Sequence, residues 1–499
     1  GDIDAGLLQK GKIPGRLFGS HSLEAWGYRL GVHKGDYTGG WDTYSPDMLV
    51  YNVQDTVVTA KLYDKLLSKE YSQRSMDLEH SVAWLMAKQE RNGFVFDVKA
   101  GAELYAKLVK RKAELMSQCA ALFPAWDVRL VDFIPKRSNK SKGWEAGVPV
   151  RRYKTVVFNP SSRDHIANRL ITLYGWKPEV MTEGGKPKVD EVVLAGLNYE
   201  PCKLLSEFLM VQKRISQLAE GDNAWLNLVK NGKIHGSINT NGAVTGRATH
   251  SRPNISQVPS SSSPYGDECR SLFTVPDGWT LVGADASGLE LRCLAHYMAK
   301  YDGGAYGKIL LEGDIHTANQ QAAGLESRPQ AKTFIYAFLY GAGDAKIGSV
   351  ISGSAVQGKQ LKAKFLRNLP ALGRLVEDVK GVAKRGYLIG LDGRHIHVRS
   401  AHAALNTLLQ GAGAIVCKQW LVMLEAQLQL RGLKHGWDGD YAFCAWSHDE
   451  VQIACRASDI ANEVADIATK CVRLAGEHFN FRCPTAGEAK IGTNWSHTH

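Results

Sequence analysis

Trp279-Thr-Leu-Val-Gly-Ala-Asp285-Ala-Ser-Gly-Leu-Glu290-Leu-Arg292 is the stretch on which the fold turns. Its first six residues form a short run of strand character that ends abruptly on Asp285, so a buried strand delivers a carboxylate at its end. Far downstream, Tyr441-Ala-Phe-Cys-Ala-Trp and Val451-Gln-Ile-Ala-Cys flank Ser447-His448-Asp449-Glu450, the pattern of a hairpin with Asp449 at its tip. Taken singly, each carboxylate fits an ordinary turn. Taken together, they suit phosphoryl transfer, in which two divalent ions roughly 3.5 to 4 Å apart activate a hydroxyl and hold a triphosphate.

Between the two lies Ser327-Arg328-Pro-Gln-Ala-Lys332-Thr-Phe-Ile-Tyr336-Ala-Phe-Leu-Tyr340-Gly341, where Arg328, Lys332, Tyr336 and Tyr340 recur at every fourth position. At about 100° per residue they drift only about 40° per step and form one helical stripe. Pro329 suits the first turn and Gly341 can end the helix. Arg and Lys one turn apart can clamp phosphates, and a Tyr one turn further can stack on a base or sugar.

The remaining sequence sets bounds on this reading. At 499 residues the chain has room for about three domains, and 44% hydrophobic residues exclude disorder as its main state. The net charge of +11 points to a polyanionic partner. No run reaches the ~18 consecutive apolar residues of a spanning helix, since even 411–425 carries Lys418, Gln419 and Glu425; no membrane partner is expected. Nine scattered cysteines without a Cys-x-x-Cys pair read as reduced, buried thiols in a cytosol-like compartment, bacterial, phage-infected or organellar. There is no P-loop, HExxH, or GxGxxG followed by a helix. Residues 46–68 read as a helix whose apolar side is Met48, Val50, Tyr51, Val53, Val57 and Leu62, and 76–122 as helices broken at Asn92-Gly93. Residues 124–157, with Lys136, Arg137, Lys140, Lys142, Arg151, Arg152 and Lys154, read as a basic loop or insertion. Helices resume at Ser161-Ser162-Arg163-Asp164, where side-chain oxygens can cap them. The whole reads as α+β, helices surrounding one antiparallel sheet.

Asp285-Ala-Ser-Gly-Leu-Glu290-Leu-Arg292, Arg328-x3-Lys332-x3-Tyr336-x3-Tyr340-Gly341 and His448-Asp449-Glu450 resemble, in order, motifs A, B and C of family A DNA polymerases, the DNA polymerase I class. Within it the chain is most similar to replicative enzymes of T-seven-type short-tailed phages, on Gly242-Ala-Val-Thr-Gly-Arg247-Ala-Thr-His250, Gly313-Asp-Ile-His316-Thr, Ala403-Ala-Leu-Asn406-Thr-Leu-Leu-Gln410 and Gly436-Trp-Asp-Gly-Asp440. The resemblance implies a right-hand fold: an exonuclease-domain remnant in 1–75, a thumb in 76–230, a palm in 231–300 and 396–499, and helical fingers in 301–395. It implies Asp285, Asp449 and the Ala286 carbonyl as ligands of two Mg2+ ions, for which Mn2+ can substitute. Lys332 is implied as catalytic, and Arg328, Lys332 and His316 as holding the dNTP triphosphate beside Tyr336 and Tyr340. Glu290 is implied as the residue that excludes ribonucleotides, and Arg247, Asn406, Gln410 and His448 as contacts to primer-template DNA. At Tyr336 the family carries Phe or Tyr, and the Tyr form accepts dideoxynucleotides. A replicative helicase or other replisome proteins are further expected partners, and the cytoplasm of a phage-infected bacterium the expected location.

Two departures stand out. Tyr51-Asn-Val-Gln-Asp55 resembles the third motif of a proofreading exonuclease, whose partner carboxylates lie upstream in the family. Asp2-Ile-Asp4 reads as a flexible terminus instead, so no proofreading is expected. The 124–157 segment falls where the phage enzymes carry a thioredoxin-capturing insertion, but it is shorter, and thioredoxin is not an expected partner. Two competing readings are a single-subunit RNA polymerase, disfavoured by Glu290 and Glu450, and a non-catalytic DNA-binding module, which has no use for the paired carboxylates.

Overall fold

The computed structural model describes residues 2–499, with side chains from Ala5 onward, so the Asp2 and Asp4 carboxylates lie outside the described residues. In chain order, the elements that position the site are helices α1 (Pro46–Leu67), α2 (Gln73–Asn92) and α3 (Val98–Leu122), and a hairpin of strands β1 (Trp126–Arg129) and β2 (Tyr153–Val156). Helix α4 (Glu200–Leu218) and strands β3 (Ser237–Asn239), β4 (Thr249–Ser251) and β5 (Thr280–Ala286) follow. Helices α5 (Leu289–Asp302), α6 (Ile315–Ala323), α7 (Arg328–Leu339) and α8 (Ala404–Leu430) precede strands β6 (Tyr441–Ser447) and β7 (Glu450–Cys455), helix α9 (Ser458–His478) and strand β8 (Gly487–Gly492).

The central sheet has the order β6-β7-β5-β8, antiparallel throughout. Strand β5 is therefore flanked on both sides and buried on both faces, which is why it reads as an unbroken apolar run. Successive residues serve opposite cores: Val282 and Ala284 join the core of α8, α9 and the 289–383 helices, whereas Leu281 joins the core of α3 and α4. At Gly283 a Cβ would stand 2.3 Å from the Thr498 carbonyl, so only glycine lets the C-terminal residues close over the sheet.

Several expectations need correction. There is not one sheet but five: a second four-stranded sheet includes Phe94–Phe96, Lys233–Ile234 and Phe273–Thr274, and three hairpins form pairs of their own. Their strands are two to four residues long, too short to leave a periodic signal. The 124–157 segment is an antiparallel hairpin, not an irregular loop. Helix α1 forms with Ser45 as its cap, but Val50, Val53 and Val57 on the expected apolar side are exposed and only Val58 is buried. Its helical neighbour is Leu23–Leu30, which covers one strip of it. Ser162 caps Arg163–Tyr174 as expected, accepting from the His165 N–H.

Helix α8, though interrupted by Lys418, Gln419 and Glu425, is long and apolar enough on average to cross a membrane, and 78% of that window is buried within the protein. Its charged residues are spent internally. Lys418, fully buried, donates to Glu79 of α2, which Arg394 also meets at 2.5 Å, and burial lowers the lysine to about 8. Burial alone would raise Glu425, but hydrogen bonds from His435, Lys88 and Tyr441 outweigh it and bring this carboxyl down to about 2. These two clusters fix α2 against α8. All nine cysteines are buried and free, as expected.

Candidate active site

Asp285 stands where β5 leaves the sheet, and its register partners are Glu450 on β7 and Glu488 on β8. Strands β6 and β7 close through the two residues His448 and Asp449, with Ser447 paired to Glu450. His448 holds φ 59°, the left-handed region, at a local cost on the order of 1 kcal/mol. The Ala286 N–H donates to the Asp449 carbonyl at 2.9 Å, tying the two acidic segments together backbone to backbone. Carboxylates more than 160 positions apart in sequence thus meet at one edge of one sheet.

The charges there are poorly compensated. Burial, then Glu290 and Asp285, raise the Asp449 carboxyl to about 6. Asp285 opens into the cleft, yet partial desolvation, then Glu488 and Glu450, raise it as well. Glu450 goes the other way: despite burial, the His499 imidazole, 3.0 Å away, and Arg270 hold it below the usual carboxylate range. Among the described residues no group of three or more His, Cys, Asp and Glu forms a ready cage for a metal. Two carboxylates plus a backbone carbonyl is nevertheless the donor set that suits Mg2+, which keeps waters and takes further ligands from substrate phosphates. The residues present fit the ion.

Helix α7 begins at Arg328, with Ser327 as cap and Pro329 in the first turn, and ends where Gly341 takes φ 72°. Arg328, Lys332, Tyr336 and Tyr340 share its stripe as expected. Tyr336 is raised by burial and by the charges of Glu290 and Asp449, and Tyr340 is raised to about 12 by burial and by Glu290. The Tyr336 and Tyr340 end of the stripe therefore lies beside Glu290. The Tyr340 hydroxyl donates to Glu290 at 3.0 Å, and Arg247 reaches the same oxygen at 3.4 Å. Glu290, in the first turn of α5, thus joins α7 to the loop between β3 and β4. Arg247, Glu290, His448 and Asp449 line one small cavity.

His316 opens α6, its ring 6.4 Å from that of Tyr336, with a buried Nδ1 that has no partner; burial and the charges of Arg328 and Lys332 lower it. Arg328 is not free: its Nε donates to Asp314 at 2.7 Å. Asn406 and Gln410 lie one turn apart near the start of α8, and Asn406 lines a cavity of about 360 Å³ behind the end of α7, apart from the carboxylate pocket. Glu488, His499 and Asp314 escaped the sequence reading as site residues. Gly487–Gly492 alternates Glu488 and Lys490 with only two apolar residues, Ala489 and Ile491, too brief a signal to mark a strand, and a C-terminal histidine carries no motif; only Gly313-Asp-Ile-His316 drew attention near Asp314.

In the N-terminal part, Asp55 meets Lys34 at 3.2 Å, and the same ammonium lies 4.8 Å from the Tyr51 ring centroid.

The sequence profile of DNA polymerase family A matches residues 143–497. The chain is 46% identical to the DNA-directed DNA polymerase of Enterobacteria phage T3, covering all of this chain and 85% of that protein. To the DNA-directed DNA polymerase of Escherichia phage T7 it is 45% identical, with the same coverage. Both alignments run over 602 positions against a chain of 499, so both phage proteins carry segments within the matched span that this chain lacks. In fold it resembles the POL domain of Pol1 from M. smegmatis, in complex with DNA primer-template and dNTP: TM-score 0.73, 18% identity, 96% of this chain and 80% of that one. The chain belongs to DNA polymerase family A, and it is an enzyme, a DNA-directed DNA polymerase. Its α+β architecture is the polymerase fold of that family.

A pH dependence follows from Asp449. Its carboxyl titrates near 6 when folded and near 4 when unfolded, so without divalent metal the folded chain holds an extra proton between those values. The contribution of this group to stability is fully present below about pH 4 and is lost as pH rises through 6, by about 2 to 3 kcal/mol. Asp449→Asn is expected to remove that decline, read from thermal midpoints between pH 4 and 8 in chelator.

Proposed function

We propose that this chain adds dNTPs to the 3′ end of a primer on a DNA template by two-metal-ion nucleotidyl transfer, without proofreading, in the DNA replication of a phage within the cytoplasm of its bacterial host. The observation that carries the reading is the meeting of Asp285 and the Asp449 turn at one end of the central sheet, with Tyr340 of the Arg328-to-Tyr340 stripe bonded to the neighbouring Glu290. The central sheet serves as palm, α7 and its neighbours as fingers, α3 and α4 as thumb.

Asp285, Asp449 and the Ala286 carbonyl are the groups to hold two Mg2+ ions, or Mn2+ in their place. When bound, the ions lower the pKa of the primer hydroxyl and neutralise the triphosphate and the departing pyrophosphate. The chain's own residues supply the rest. Lys332 and His316 take the phosphates; Arg328 joins them by exchanging Asp314 for a phosphate oxygen, a swap between two surface-exposed partners. Glu290, held by Tyr340 and Arg247, keeps a carboxylate where a ribose 2′-hydroxyl would stand. His448, Arg247, Asn406 and Gln410 serve as the contacts to primer-template backbone and minor groove, which carry little sequence information, as a replicating enzyme requires. A replicative helicase or other replisome proteins are the further partners of this reading; thioredoxin is not, on the shorter insertion.

The absence of proofreading rests on Lys34. Its ammonium, 3.2 Å from one Asp55 oxygen, competes there with any metal an exonuclease would bind.

Three outcomes are expected. Primer extension with Mg2+ proceeds and stops in chelator, and Asp285→Ala or Asp449→Ala lowers its rate by at least about 10³-fold; unchanged extension in Asp449→Ala sinks the reading. Tyr336→Phe raises discrimination against dideoxynucleotides relative to the parent, measured by competitive incorporation; equal ratios refute the acceptance of dideoxynucleotides that Tyr at this position implies. Single-stranded DNA is not degraded, and degradation that disappears in Asp55→Ala would show a working exonuclease.

A further inference from the structure

One carboxylate joins the starts of α6 and α7. Asp314 caps α6: its Oδ1 accepts the His316 N–H at 3.0 Å and the Thr317 N–H at 3.3 Å, and its Oδ2 accepts the Thr317 hydroxyl at 2.9 Å and the Arg328 Nε at 2.7 Å. Four donors from two helices thus converge on a single anion. Free N–H groups at a helix start and a guanidinium are the kinds of donor that hold a phosphate.

The charge around them is positive. Burial, then the charges of Arg328 and Lys332, disfavour protonation of His316, and Asp314 is the acid that opposes them. The His316 Nδ1 is buried and has no partner. Asp314 therefore stands, within the chain itself, as an anion among groups that suit a triphosphate.

The frame that carries these groups is fixed, but the ion pair is not. Asn319 of α6 is fully buried and donates to the Tyr306 hydroxyl at 3.1 Å, while Ala323 of α6 and Phe334 of α7 are buried in one core. The Asp314 and Arg328 side chains, by contrast, are 43% and 54% exposed. The pair can open without moving either helix. A ligand that takes Arg328 has to find it unpaired, so its apparent affinity is reduced by the fraction of time the pair is closed.

We propose that Asp314 is a positioning residue that acts through Arg328: it holds the guanidinium beside His316 and competes for it with the triphosphate of the incoming nucleotide, so the protein binds dNTP more weakly than its own cations would. This deepens the polymerase reading and rests on it. Tighter binding of substrate and product alike does not speed the chemical step. The same carboxylate takes the arginine back when pyrophosphate leaves, and so favours its release.

The test compares the parent, Asp314→Asn, Arg328→Gln and the double variant in single-turnover extension of a primer-template with Mg2+, with pyrophosphate added as inhibitor. Asparagine keeps an oxygen to cap α6 and lacks the charge that pairs with Arg328. In Asp314→Asn the half-saturating dNTP concentration is expected to fall about two- to fivefold, the range set by an exposed ion pair, and inhibition by pyrophosphate to tighten in the same sense. The gain shrinks as salt rises from about 50 to about 500 mM, because the pair it removes is screened. A gain in affinity cannot come from a damaged fold; should Asp314→Asn fail to fold by its thermal midpoint, Asp314→Ser, which also keeps a capping oxygen, replaces it. In the Arg328→Gln background the same substitution is expected to leave the half-saturating concentration unchanged, because its effect passes through the arginine. An unchanged or higher value in Asp314→Asn overturns the proposal and leaves Asp314 as a helix cap. A fall that persists in the Arg328→Gln background overturns it as well and assigns the effect to loss of a negative charge near the nucleotide. A parent that extends no primer brings down the polymerase reading and this proposal together, whereas a parent that extends, with no gain in Asp314→Asn, brings down this proposal alone.

Discussion

A strand that is hydrogen-bonded on both sides cannot slide, and that constraint on β5 is what makes the active site possible. Strand β7 fixes it on one side and β8 on the other, so Asp285 arrives at a defined height opposite Glu450 and Glu488. Because side chains alternate along a strand, a slip of one residue would turn Asp285 to the other face and break the match with the Asp449 turn. The bond from the Ala286 N–H to the Asp449 carbonyl is the final link in that register. The site thus inherits its precision from backbone pairing, before any ion or substrate arrives.

Around the sheet, buried charge does what apolar packing cannot do alone. Glu79, Lys418, Arg394 and Asp392 form one cluster, and Glu425, Lys88, His435 and Tyr441 another, each bridging α2 to α8. Buried ion pairs add little net stability, but each group needs its partner in place, so they penalise any shifted packing of the two helices. Helix α8 also carries Asn406 and Gln410 and packs on α9, which in turn covers β5 and β8. Rigid surroundings of this kind suit a site whose groups must be held to within a fraction of an ångström.

What the sequence disclosed follows the physics of each signal. The strand ending in Asp285, the hairpin carrying Asp449 and the helix of Arg328 to Leu339 were legible because each is long enough for its period to show, and each bears its functional residue at a natural stop. Glu290 and His448 were legible through motif likeness, since nothing in local periodicity distinguishes them. Glu488, His499 and the Asp314 partner of Arg328 were not legible, because their roles come from pairing across the fold: β8 offers only two apolar residues to mark it, and the final residue reaches Glu450 only after the chain has closed over Gly283. The apolar side given to α1 failed for the opposite reason. A periodic pattern was present, but whether a face is covered depends on a neighbour the helix itself does not specify.

The two acidic centres of the chain also differ in how their charge is balanced. At Asp55 a lysine 3.2 Å from one carboxylate oxygen supplies a positive charge, while the other oxygen is buried without a hydrogen-bond partner. At Asp285 and Asp449 the balance is left open: Arg247 is committed to Glu290, Arg270 and His499 to Glu450, and burial makes the remaining negative charge costly. A lysine placed beside Asp449 would relieve that cost and stabilise the empty fold, but it would occupy the position a divalent ion needs. Under the proposed two-metal reading the destabilised carboxylate serves function, and the register of β5 and the clusters on α8 hold the surrounding fold firmly enough to bear it.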